Sequence, residues 1–333
     1  MDIIVRQEEE PTKRHILDGR LTSSSLDSLP EGCVCLILSL TTPRDATRSS
    51  AVSTCLNSAA QSDVVWEHFL PTDYTDIISR STSPLIFSSK KDLYLRLSLS
   101  PVLLDEGNKV ISHPSVLCYI YIYIHTSILC VYVCLFEQSI VLNRLTGNKS
   151  CMIGSRKLAI AWAGSRRFWN WLPLSNSRFG EVIHLRNVCW LDICGKIEKK
   201  MLSPNTNYAA YLVYNIAFGF QGLEFVRVSM RFLGPGGVLV EEKPEFDVNL
   251  GSMEDDERGR LKQGDDGWLE LKVGEFFNGE EEDNGGSVET CLKETRVLNW
   301  KSGLVVQGID FRPNLPLPLP LPQTPPQLSL SII

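Results

Sequence analysis

The chain has few of the features that would assign it a chemistry. It carries ten cysteines in 333 residues, but no two are spaced as CxxC, and its five histidines do not pair with them at zinc-ligand spacing. No metal and no cofactor are therefore expected. There is no phosphate-cradling glycine loop and no Ser/His/Asp set with supporting spacing, so no catalytic residue is assigned and the protein is not expected to be an enzyme. Residues 1–20 hold Glu8, Glu9, Glu10, Lys13, Arg14 and Asp18 around no apolar run, which excludes a signal peptide there. The expected setting is the cytoplasm or nucleus, with the cysteines as reduced thiols. Basic residues number 33 against 39 acidic, for a net charge of −6, and no basic stripe stands out. Nucleic acid is a poor default partner for such a chain.

What is present is ordinary globular material: 43% hydrophobic and 22% charged residues, enough for roughly two domains. Residues 1–25 are polar and are expected to be disordered. Residues 26–74 read as three helices. Val34, Ile37 and Leu38 share one face after Leu29-Pro30-Glu31. Thr42-Pro43 is a helix start, with Val52, Leu56 and Ala59 continuing one stripe. Ser62-Asp63 opens a third helix with Val65, Trp66, Phe69 and Leu70, stopped by Pro71. From about residue 84 the pattern turns to strands. Val226, Val228, Met230 and Phe232 alternate with polar neighbours, as do Leu269, Leu271 and Val273. Cys189 to Cys194, Tyr208 to Phe218 and Leu304 to Phe311 are further strand candidates. The fold class expected is α+β: a small helical module, then a mostly antiparallel β-sandwich over 75–313. The acidic stretches 251–267 and 279–287 lack EF-hand spacing and read as solvated loops. The Pro-rich tail 314–333 reads as extended chain.

Ser115 to Phe136 is long and apolar enough to cross a membrane, but its Tyr-Ile repeats and β-branched residues do not suit a spanning helix. Residues 108–138 are read as a non-native insertion, such as a retained intron. A membrane helix and a native core insertion are the competing readings, with membrane association the less expected. Translation of this stretch in the mature transcript would sink the insertion reading.

Residues 29–74 resemble a plant F-box, through Leu29-Pro30-Glu31, Ile37-Leu38-Ser39-Leu40, Pro43-Arg44-Asp45, Ser62-Asp63 and Val65-Trp66-Glu67. That resemblance implies docking to the Skp-like subunit of a cullin-based (SCF-type) ubiquitin ligase, with Leu29, Pro30, Ile37, Leu38, Pro43 and Val52 as contacts. Leu56-Asn57 departs from the family's Phe-Arg. The alternative is a three-helix module packed on its own chain. The remainder resembles the phloem protein 2 domain, also known as the Nictaba-like lectin domain. The matching residues include Arg156 to Trp162, Phe168-Trp169-Asn170-Trp171, Gly274 to Asn278, Trp300 to Leu304 and Gly308 to Pro313. The combination is similar to F-box phloem protein 2 of the B type. By resemblance, Trp162, Trp169, Glu275 and Glu282 are the carbohydrate-binding residues, directed at N-acetylglucosamine-containing glycans on a glycoprotein target. Aromatic faces stack on sugar C–H faces while carboxylates accept hydroxyl hydrogens. Each tryptophan could instead be a core aromatic, the default reading for Trp190, Trp268 and Trp300. A lectin-like or protein-binding module acting without ligase assembly is the alternative function.

Overall fold

The computed structural model describes residues 29–104, 138–251, 260–264, 266–280 and 285–314. The readings of 1–25, the apolar run, Glu282 and the tail beyond Asn314 fall outside these. So do the larger part of the 251–267 loop and residues 281–284 of the second acidic loop.

Six helices come first. They are α1 (Glu31–Ser39), α2 (Pro43–Ser49), α3 (Thr54–Gln61), α4 (Asp63–Phe69), α5 (Tyr74–Arg80) and α6 (Lys90–Leu99). Thr42 caps α2, its hydroxyl accepting from Asp45 N–H at 3.1 Å, with Pro43 in the first turn where no donor is needed. The expected single stripe from residue 43 to 59 is two helices. Ser53 starts α3 by accepting from Leu56 N–H at 3.2 Å, and this leaves Val52 in the intervening turn, 74% exposed. The expected strand region from 84 begins instead with α6. There Ser89 accepts from Asp92 N–H at 3.1 Å and Asp92 pairs with Arg96 four residues on at 2.9 Å. These polar links favour the helix, and Leu93, Tyr94 and Leu97 anchor it.

The strands are β1 (Val102–Leu104), β2 (Gln138–Leu142), β3 (Lys149–Gly154), β4 (Ala159–Ile160), β5 (Trp169–Pro173), β6 (Glu181–Leu185), β7 (Leu191–Glu198) and β8 (Thr206–Gln221). They continue with β9 (Val226–Leu233), β10 (Leu239–Glu242), β11 (Phe246–Val248), β12 (Leu261–Gln263), β13 (Leu269–Asn278), β14 (Ser287–Glu294) and β15 (Ser302–Pro313). One sheet runs β1-β2-β3-β15-β8-β13-β12, with β6 also on β15 and β5 on β6. The other runs β10-β9-β14-β7-β4, with β11 on β9. The pairings are antiparallel throughout the described residues, as the alternating patterns require. The sheets face each other closely. A Cβ on Gly195 of β7 would lie 2.6 Å from the Ile309 Cδ1 of β15, so a larger residue there would push that side chain aside. Phe276 meets Phe232 across the layers at 6.0 Å.

The helices do not form a separate core. One contiguous buried cluster runs from Val34 and Trp66 through Tyr94 to Phe311. Tyr94 donates to the Asn143 carbonyl at 3.1 Å. Gly147 turns at φ 79° where a Cβ would lie 2.7 Å from the Phe69 carbonyl. Lys149, its side chain 5% exposed, binds both oxygens of Asp73 at 2.9 and 3.1 Å.

Two further findings depart from the sequence reading. Gln138, assigned to the insertion, is a buried residue of β2 paired with Leu104. Cys194 and Cys291, expected as thiols, are bonded to each other. The antiparallel pairing of β7 with β14 sets them directly opposite, a proximity that 97 residues of separation conceal.

Candidate binding sites

The first candidate surface lies on the helical module. Of the six residues expected to contact a partner, Leu29, Pro30, Ile37 and Val52 are exposed, whereas Leu38 and Pro43 are buried. Leu38 sits one position after Ile37 on α1 and so turns toward the core with Val34 and Cys35. Leu36 and Leu40, which the sequence reading did not select, are exposed beside Ile37. An apolar strip of this kind costs solvation free energy unless something covers it.

The second surface is the loop after β4. Trp162 is 61% exposed and adopts φ 65°, a left-handed conformation that costs a bulky residue on the order of 1–3 kcal/mol. The loop holds it there through specific bonds. Ala161 N–H donates to the Asp192 carbonyl at 2.9 Å, and Ser165 N–H donates to the Trp162 carbonyl at 2.9 Å. Trp169 is only 1% exposed, and its indole N–H donates to the Ala161 carbonyl at 2.9 Å. The two tryptophans expected to share a ligand thus have different places: Trp162 is displayed, and Trp169 props the loop from below. The aromatic neighbour of Trp162 is Phe168, with ring centroids 6.0 Å apart.

Glu275 is not part of this cluster. It is exposed on β13, where Asn314 donates to its carboxylate at 2.7 Å and Lys272 forms an ion pair with it. Through Ala209 it stands level with Arg312 of β15. Trp169 pairs with Leu185, the residue after the His184–Val305 pair. Positions 305 and 312 of one strand lie roughly 23 Å apart at about 3.3 Å per residue, so Glu275 cannot share a sugar with Trp162 and Trp169 in this fold. The carboxylate whose residue adjoins the aromatic loop belongs to Asp192, paired with Lys293 at 3.5 Å.

Trp268 is buried as expected, but Trp190 and Trp300 are half exposed. Their loops are gathered by Lys301, which is 0% exposed. Its ammonium donates to the carbonyls of Cys189, Val297 and Asn299 at 3.1, 3.1 and 2.9 Å and pairs with Glu294 at 3.1 Å. Burial would raise the Glu294 pKa, but the backbone N–H groups of Val297 and Arg296, together with Lys301, hold it below the usual carboxylate value.

A helical module with an uncovered apolar strip, fused through one core to an antiparallel sandwich that displays an aromatic loop, describes a recognition protein. No group of three or more His, Cys, Asp or Glu placed to hold a metal occurs among the described residues. The phloem protein 2 family model matches residues 148–313. Three relatives from Arabidopsis thaliana extend the similarity over the helices. F-box protein At2g02240 is 36% identical over 87% of this chain and 81% of its own length. F-box protein PP2-B10 is 35% identical over 87% and 95%, and F-box protein PP2-B15 is 36% identical over 86% and 96%. The chain belongs to the F-box proteins of the phloem protein 2 B type.

Proposed function

We propose that this protein is the substrate-recognition adaptor of an SCF-type ubiquitin ligase, acting in the cytoplasm, the nucleus or both. The observation that carries the reading is the exposed apolar strip of Leu36, Ile37 and Leu40, with Leu29, Val52 and Val64 of the same helical module also exposed, while Val34, Leu38, Trp66 and Phe69 are packed in the core. A Skp-like subunit would cover that strip and bring the cullin with it. The adaptor performs no bond chemistry in this scheme. The shared core and the Lys149–Asp73 pair would hold the β domain at a fixed orientation to the ligase.

The target is proposed to carry sugar, recognised by the face of Trp162 with Phe168 beside it. Trp169 is then a positioning residue, and Glu275 has no part in this subsite. Co-expression with a plant Skp-like subunit tests the first half. Co-elution from gel filtration is expected, and a folded protein that never captures the subunit would leave only a lectin-like module acting alone. A glycan array on the full chain beside Trp162→Ala tests the second half. Equal signals from both proteins, or none from either, would move the function to protein recognition without sugar.

A further inference from the structure

Four cations converge on one cleft of about 570 Å³: Arg80 at the end of α5, itself paired with Asp76 at 3.2 Å, Lys157 after β3, Lys196 on β7 and Lys200 just beyond it. Only two carboxylates, Glu198 and Glu289, share the lining. This local excess of positive charge stands out in a chain with net charge −6. Lys196, Glu198 and Lys200 also line a second cleft, about 430 Å³, whose far wall is the glycine-rich turn 234–237 together with Gly285 and Gly286. The two clefts therefore adjoin along the outer end of β7. Lys200 pairs with Glu198 at 2.6 Å and holds that carboxyl below its ordinary pKa, with Lys157 and Lys196 adding to the effect. One carboxylate thus sits within the field of three ammonium groups. On the sheet itself Glu289 lies between Lys196 and Arg231 in register, and Arg231 is already paired with Glu242 at 2.7 Å.

We infer that this groove binds an extended peptide segment bearing clustered anionic side chains, separately from the aromatic loop. Charge complementarity supplies the attraction and the fast encounter. The lining of both clefts contains no aromatic residue, so there is no stacking platform for bases or for sugar rings. The far wall suits a backbone: Gly236 and Gly237 turn at φ 74° and 82° with open space where side chains would stand. A chain can approach there closely, as it could not beside bulkier residues. The inference does not depend on Skp docking or on sugar binding, because it is read by direct association of the full chain with a peptide.

The probes are fluorescein-labelled twelve-residue peptides carrying three phosphoserines, three glutamates or three serines at the same positions. A single-stranded oligodeoxynucleotide of matched charge is the comparison. Anisotropy titrations should saturate with the phosphoserine peptide, more weakly with the glutamate peptide, and weaken steeply with added salt. Lys196→Glu combined with Lys200→Glu should weaken binding by roughly tenfold or more. Both side chains are exposed, so loss of their pairing with Glu198 and Glu289 should lower the thermal midpoint by only a few degrees, leaving the protein folded at the assay temperature. Trp162→Ala should bind the peptide as the native protein does. Absence of saturable binding, indifference to the double substitution, or an oligonucleotide bound as tightly as the phosphoserine peptide would each overturn the assignment.

Discussion

Replacing Lys301 with methionine keeps most of the side chain's volume and removes its charge. Three backbone carbonyls then lose their donor, and Glu294, itself buried, loses its ammonium partner. Breaking a buried pair from one side costs about 3–5 kcal/mol, because the remaining charge has no water to replace its partner. Glu294 keeps two backbone N–H bonds, from Arg296 at 2.9 Å and Val297 at 3.0 Å, which places the expected loss near the lower end, about 3 kcal/mol. For a domain of this size that lowers the thermal midpoint by roughly 6–12 °C. The pH dependence identifies the cause. In the native protein the Glu294 pKa is depressed, so its contribution is present above the unfolded value and is lost as pH falls through the folded value. Without Lys301 the carboxyl rises relative to the native protein, and its burial destabilises the variant most when it is ionised. The deficit should therefore be largest at neutral pH and shrink toward pH 4. Adding Glu294→Gln should recover about half of it. Urea unfolding followed by tryptophan fluorescence measures all three proteins. A loss below about 1 kcal/mol, or one independent of both pH and the second substitution, would refute the role given to this ion pair.

Ile37→Asp should abolish Skp capture while leaving the thermal midpoint nearly unchanged, because Ile37 is exposed; Leu38→Asp should instead unfold the helical module, as read by circular dichroism. Trp162→Ala should remove array signals for sugars with no loss of stability. Trp169→Phe keeps an aromatic ring but gives up part of the buried volume and the donor to Ala161, so it should lower sugar affinity through the loop and cost about 1–3 kcal/mol, seen by calorimetry. Leu104 and Gln138 are cross-strand partners, about 5 Å apart in such a ladder, so residues 105–137 should be replaceable by Asn-Gly with cooperative unfolding retained. A broadened, non-cooperative melt would count against the hairpin.

Local pattern made much of the fold legible. The alternation of β9 and β13 and the Thr42-Pro43 helix start were recovered in the structure because each is dictated by neighbours in sequence. Helix α6 departs from the expected strand region although Ser89 and Asp92 mark its start, because only the packing of Leu93, Tyr94 and Leu97 against the core distinguishes this short segment from a strand. The candidate sugar site was only partly legible. A tryptophan with an ordinary sequence context gives no sign of whether its ring is displayed or buried, and Trp162 and Trp169 separate on that point alone.

The sequence by itself determined the chain's two-part character, several of its longer strands and its membership, since these depend on periodicity and on residues held at fixed spacing. The tertiary structure decided what could not be read locally. It placed Cys194 opposite Cys291, separated Glu275 from the tryptophans, and gathered four cations onto one groove. It also joined the helices to the sandwich through Lys149 and Asp73. Strand register sets the first two and the meeting of distant elements sets the others. Both are consequences of burying a common core, and no residue carries them alone.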